Sequence, residues 1–310
     1  MSAQDWKNLG IGAVLLAIAA LLPLTGDVYL ISLGVSIAMY TVLATSWALF
    51  SGPTHYISLA TAAFFGVGTY VTGSGIDVLP YWLLLPIAAL IGGLLAALVG
   101  LATLRLSGVY FVIFTLGLAE MVRQLVTWYQ NQTGHKGTYV LTDLTDNHIY
   151  WQLLGLAALV YLAGWAIGRS RLGFALRIIG DDEEVARHVG INTALSKVAL
   201  FVVSGAVAAV VGAIIAPRYV YIEPGIAFAP MLSFQVVIMA LLGGTGKLWG
   251  PLVGVIPFTL LWEVISASFP NQTTLLLGVS FLVIVYLLPG GFVGLVARLN
   301  ARRARREALA

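Results

Sequence analysis

Residues able to do chemistry are sparse and scattered in this 310-residue chain. His55, His135, His148 and His188 lie in four separate polar stretches. None stands at metal-ligand spacing from another histidine. There is no cysteine, which excludes disulfides, thiolate catalysis and cysteine metal sites. No nucleophile–base pair is suggested, so no catalytic and no metal-binding residue is assigned. Gly243-Gly244-Thr245-Gly246-Lys247 hints at a phosphate loop. Such a loop needs a glycine five residues before the Gly-Lys pair and a hydroxyl residue after the lysine. Leu241 and Leu248 occupy those positions, so the stretch reads as a tight turn without an ATP site.

Three charged residues sit inside apolar runs. Glu120 and Arg123 are three apart, hence on one helix face, and Glu263 has no close partner in sequence. Ionisable groups inside a membrane are costly and default to functional hypotheses. A stabilising ion pair is the other reading of Glu120 and Arg123.

The most charged stretch before the tail holds Asp181-Asp182-Glu183-Glu184-Val185-Ala186-Arg187-His188-Val189-Gly190. Asp181 followed by Glu184 reads as the start of a capping box. Acidic residues in the first turn and Arg187 and His188 in the last suit the helix dipole, and Gly190 is placed to end the helix. The result is a helix of about two turns, too short to be stable alone in water. From the residues alone it is either a solvated loop helix on its own bundle or a docking element for a cytoplasmic partner.

The elements that must position these residues are membrane spans. Hydrophobic residues make up 60% of the chain and charged residues 9%, with a mean hydropathy of +0.96. A soluble domain carries about 25% charged residues, and a disordered chain needs low hydrophobicity. Both are excluded, and apolar runs of about 20 residues exclude an outer-membrane barrel. The net charge of +3 and pI near 9.1 reflect membrane orientation, not nucleic-acid binding.

Ten apolar segments are read, an all-α polytopic chain with one transmembrane domain over residues 1–310. They are Leu9–Leu24, Val28–Phe50, Tyr56–Val71, Pro80–Thr103, Val109–Trp128, Tyr150–Ile167, Val198–Ala216, Phe228–Leu242, Pro251–Ser268 and Thr274–Leu288. The first is read as a retained span, not a cleaved signal. The third and eighth are rich in small and polar residues, so each reads as broken or partly re-entrant, which is tolerated only where protein or a cavity surrounds it. With the N-terminus in the cytoplasm, thirteen Lys and Arg fall inside against two outside, Lys136 and Arg218. The inside set includes Lys7, Arg105, Lys197 in the loop over residues 169–197, and Arg298, Arg302, Arg303, Arg305 and Arg306 of the basic tail over residues 293–310. The positive-inside rule therefore puts both termini in the cytoplasm, with the tail against anionic lipid. Small residues four apart, Ser204, Ala208, Gly212 and Gly205, Ala209, Ala213, predict close helix packing, as do Gly250 and Gly254,.

Four stretches carry a resemblance: Tyr110–Arg123 (YFVIFTLGLAEMVR), Gly173–Asn192 (GFALRIIGDDEEVARHVGIN), Leu242–Gly254 (LGGTGKLWGPLVG) and Leu288–Leu299 (LPGGFVGLVARL). In order and spacing they resemble the inner-membrane permease subunits of branched-chain amino acid ABC importers. The resemblance implies a type II-like permease of about ten helices with an inverted repeat. It implies a homologous second permease, two ABC ATPase subunits and a periplasmic or extracellular solute-binding protein as partners, with ATP and Mg on the ATPases and no cofactor on this chain. It makes Asp181, Asp182, Glu183, Glu184, Val185, Arg187, His188 and Gly190 the ATPase-coupling helix. His55-Tyr56 stand where the family has Gly-Gln, a departure that leaves urea, short amides or aromatic acids as alternative substrates. His55, Tyr56, Thr115, Glu120 and Glu263 are taken as candidates to line the translocation path. The rival reading is an ion-coupled secondary transporter, which would favour buried acidic pairs in mid-membrane.

Overall fold

The computed structural model describes residues 12, 16–103, 108–134, 137–287 and 290–295. Lys7, Arg105, His135, Lys136, the tail arginines and much of the first apolar segment lie outside the described residues. The long helices are α1 (Val28–Thr54), α2 (Thr61–Gly75), α3 (Tyr81–Thr103), α4 (Val109–Thr133) and α5 (Asp146–Arg169). Two short helices follow, α6 (Arg171–Asp181) and α7 (Glu183–His188), then α8 (Thr193–Ile215). The chain continues through the single turn α9 (Pro224–Ala227), α10 (Pro230–Gly243), α11 (Gly250–Ser268) and α12 (Thr273–Leu287). Among the described residues seven helical segments are long and apolar enough to cross a membrane: Val28–Thr54, Tyr81–Thr103, Val109–Thr133, Asp146–Arg169, Thr193–Arg218, Pro224–Gly243 and Gly250–Ser268.

The third expected segment does not start as a helix. Residues 55–60 are non-helical, and α2 runs from Thr61 to Gly75 instead of from Tyr56 to Val71. The eighth is interrupted too, at Phe228 and Ala229 between α9 and α10. The physical reason at the first break is backbone geometry. His55 caps α1 in the left-handed region at φ 57°, which a side chain seldom adopts and which ends the helix. The seventh segment starts earlier than expected, at Thr193, so Lys197 belongs to a helix and not to the loop before it.

The core is organised on α8, which packs against α2 and α3. A Cβ at Gly68 would run into the carbonyl of Ala209, one at Gly212 into the carbonyl of Phe65, and one at Gly92 into the Ala209 methyl. The small-residue spacing on α8 thus packs backbone against backbone, and Gly254 brings α11 equally close to α10 at Met239. At the other end of the bundle from α7, Thr138–Tyr139 pairs antiparallel with Tyr221–Ile222, Thr138 opposite Ile222. Beside that pair, Arg218 Nε meets Asp146 Oδ1 at 3.1 Å and Arg218 donates to Ser32 Oγ at 2.9 Å.

Replacing Gly68 by Val forces the α2–α8 pair apart. The expected loss is about 1–3 kcal/mol or more, read as a lowered thermal unfolding midpoint of the detergent-purified chain; an unchanged midpoint contradicts the close packing.

Candidate functional site

The charged loop forms as a helix, with its cap one residue later than expected. Asp181 closes α6, and Asp182 caps α7 by accepting from the amides of Glu184 at 2.8 Å and Val185 at 3.1 Å. The reason is Asp182's extended backbone, φ −156° and ψ 113°, which turns its carboxylate over the first helical amides as an N-cap must. Gly190 adopts φ 85° just past the end, where an αL residue terminates a helix. The helix is shorter than the expected two turns, running only from Glu183 to His188. It buries Ala186 and leaves Glu184, Val185 and His188 exposed, as is Val189 just past its end.

Glu183 is the anchor of α7. Its Oε1 accepts from Lys197 Nζ at 2.8 Å, Arg187 at 2.7 Å and Thr193 Oγ1 at 3.3 Å. Its Oε2 accepts from the Tyr56 hydroxyl at 3.3 Å. Lys197 is 1% exposed; its ammonium also donates to the Tyr56 hydroxyl at 3.2 Å and lies 4.4 Å from the centre of the Tyr56 ring. Burial pushes the Glu183 carboxyl up, but the hydrogen bonds and charges of Lys197 and Arg187 outweigh it and hold the pKa below the usual carboxylate value. Sequence reasoning does not single out Lys197 and Thr193 as site residues. The available signal is the spacing: Thr193 and Lys197 are one turn apart, on one face, immediately after the Asn192 cap,.

Tyr56 leads into the interrupted stretch, where Ser58, Leu59 and Ala60 are buried. A buried non-helical backbone must find its hydrogen bonds elsewhere. The Ser58 carbonyl accepts from Trp47 Nε1 at 2.7 Å. The Leu59 amide donates to Thr115 Oγ1 at 3.0 Å, and the Leu59 carbonyl accepts from Ser233 Oγ at 2.8 Å. Ser233 in turn accepts from the Ala62 amide at 2.9 Å. Thus α1, α4 and α10 each lend one side chain to the break before α2. Thr115 is fully buried in this role.

The remaining candidates are dispersed. His55 is exposed and lines a cavity of 480 Å³ with Pro53, Gly180, Asp181, Thr245 and Lys247, between the end of α1, α6 and the turn before α11. Glu120 is held by Arg123, whose Nε donates to Glu120 Oε2 at 2.8 Å, and by Gln124 Nε2 at 2.9 Å. This is the ion pair of one helix face. Glu263 is exposed on α11, with no hydrogen bond or ion pair among the described residues.

Residues 29–288 match the family described as branched-chain amino acid transport system / permease component. The chain belongs to that family. The permease is 25% identical over 290 residues to the high-affinity branched-chain amino acid transport system permease protein LivM of Salmonella typhimurium, covering 82% of this chain and 68% of the relative. It is 29% identical over 162 residues to LivH of Escherichia coli, covering 52% of this chain and 51% of that one. PsaBC from Streptococcus pneumoniae in complex with Fab is a similar solved structure at 16% identity and a TM-score of 0.47, over 84% of this chain and 92% of that chain. The protein is a multi-pass membrane transport subunit, a permease of an ABC importer.

Two outcomes test the site's geometry. Ser233→Ala leaves the Leu59 carbonyl and the Ala62 amide without partners, at a cost of about 1–3 kcal/mol each, measured by thermal unfolding in detergent. Because the Glu183 pKa is depressed in the fold, its contribution is complete above the unfolded carboxyl's value and is lost as pH falls through the lower folded one. Amide protection of residues 184–189, corrected for intrinsic rate, is therefore expected to be constant from about pH 8 down to about pH 5, just above the unfolded carboxyl's value, and to be lost only at lower pH.

Proposed function

We propose that the permease translocates branched-chain amino acids as one of two paired permeases, and that α7 is its coupling helix. The observation that carries this is the combination at α7. The helix is anchored through Glu183 to Lys197 and Tyr56, yet it turns Val185, His188 and Val189 outward. A capped, anchored helix of six residues with apolar groups on its free side is suited to docking in another chain. ATP and Mg belong to two ATPase subunits, one of which holds α7 in a cleft; this chain has no ATPase site and no cofactor of its own. A solute-binding protein delivers substrate at the β-paired end, and no nucleic acid is involved.

The ten-span reading adds to the seven long segments two shorter apolar helices, Leu16–Thr25 and Pro270–Ile284, and the buried helix α2 over Thr61–Gly75. Reciprocal packing supports an inverted repeat of α1–α4 with α8–α12. In each direction the first helix of one half packs against the second and third main helices of the other: α8 against α2 and α3, and α1 against α10 and α11. The interruption before α2 has its counterpart before α10. The Lys and Arg asymmetry puts both termini and α7 in the cytoplasm of a bacterial-type inner membrane. The path involves α4, one of the two long helices with the smallest buried share, bearing Thr115 and Glu120. His55 and Tyr56 lie nearer its cytoplasmic end, and Glu263 on α11 faces a neighbour or the lipid.

Alternating access then requires two packings of the bundle, each favoured by a different nucleotide state of the ATPases. The test is purification in mild detergent with mass spectrometry of the co-purifying chains, then leucine, isoleucine and valine uptake in proteoliposomes. A second permease and ATPase subunits at comparable stoichiometry, with uptake that needs ATP, are expected. A lone chain driven by an ion gradient refutes the proposal.

A further inference from the structure

We propose that Lys197 is the positioning residue through which movement of α7 reaches the interrupted third span. This rests on the reading of α7 as the coupling helix.

The ammonium of Lys197 is buried, and its polar partners are the Glu183 carboxylate and the Tyr56 hydroxyl, with the Tyr56 ring over its charge. A buried charge cannot be left unpaired cheaply. If α7 is displaced, Glu183 cannot leave Lys197 behind, and Tyr56 is bonded to both. Thr193 closes the same group from the first turn of α8, accepting from Arg187 Nε at 3.5 Å and donating to Glu183. So α7, the start of α8 and Tyr56 move as one body.

Tyr56 is two residues from Ser58, where the regular backbone is absent and the chain is held by donors on Trp47 and Ser233 and by the Thr115 hydroxyl, which accepts from the Leu59 amide. Those three belong to α1, α4 and α10. A non-helical stretch is the part of a span able to change its φ and ψ without breaking a helical ladder. The route is therefore contiguous: Glu183, Lys197 and Tyr56, then residues 57–60, then α4 through Thr115 and α10 through Ser233. Phe111, on α4, also packs edge-on against the Tyr56 ring at 5.4 Å, so α4 meets this unit at two points.

The experiment uses the whole complex in proteoliposomes. The chain has no cysteine, so a single introduced cysteine is the one thiol it brings to the complex, and the complex without it gives the background. Ile57→Cys, at an exposed position beside Tyr56, reports the break, and Val185→Cys reports the outer side of α7. Lys197→Met is expected to leave assembly and Val185→Cys cross-linking to an ATPase subunit intact. It is expected to lower substrate moved per ATP hydrolysed about tenfold and to abolish the nucleotide dependence of thiol labelling in the Ile57→Cys background. A merely structural lysine would leave that dependence in place. Tyr56→Phe keeps the ring and removes the hydroxyl, and should give a smaller loss in the same direction even if Lys197→Met fails to assemble. An unchanged transport ratio in either variant, or labelling at position 57 that still follows nucleotide, overturns the proposal. Absence of any Val185→Cys cross-link in the otherwise native complex overturns the coupling reading itself.

Discussion

A polar group inside a membrane-spanning bundle finds its partner within the protein or stays unsatisfied, because hydrocarbon offers none. The arrangement around residues 58–60 is built on that constraint. Once the chain leaves α1 through the left-handed His55 and fails to resume a helix until Thr61, the freed backbone groups have to be met by side chains. Trp47, Thr115 and Ser233 meet them. Three helices far apart in sequence are thereby drawn around one short stretch, and their hydroxyl and indole groups are used for structure before they are available for anything else.

The same constraint governs Lys197. Its ammonium lies in a buried position one turn into a span, which is tolerable only with a carboxylate beside it. That carboxylate comes from α7, outside the spans, and so the need to neutralise one lysine fastens a six-residue helix to the bundle. The helix has little stability of its own. The Asp182 cap, the Glu183 anchor and the buried Ala186 supply it. What is left unfastened is the outward side with Val185 and Val189, the surface assigned to a partner ATPase in the proposed function.

Elsewhere the bundle divides into a tight part and an open part. Glycines on α2, α3 and α8 let backbones touch, and α8 is the most buried of the long spans. Helices α4 and α5 are the least buried of them, and α4 carries the Glu120–Arg123 pair. Close packing on one side gives a rigid block; exposure on the other leaves helices whose final neighbours are other chains or lipid. A permease that works by switching between two packings needs both kinds of surface.

The amino-acid sequence determined the class of this protein, because composition alone forbids a soluble fold, and it located the seven long apolar helices, because apolar length is a local property. From residue type it also marked the third and eighth segments as irregular, broken or partly re-entrant, and Gly190 as a helix end. The cap at Asp182 in place of Asp181 depended on which residue turned extended, a one-residue choice that neighbouring aspartates leave open. The partnership of Glu183 with Lys197 and Tyr56, and of Leu59 with Thr115 and Ser233, joins positions up to 174 residues apart. Such pairings leave no local pattern. Only the packing of the helices decides which buried polar groups come within hydrogen-bonding reach of one another.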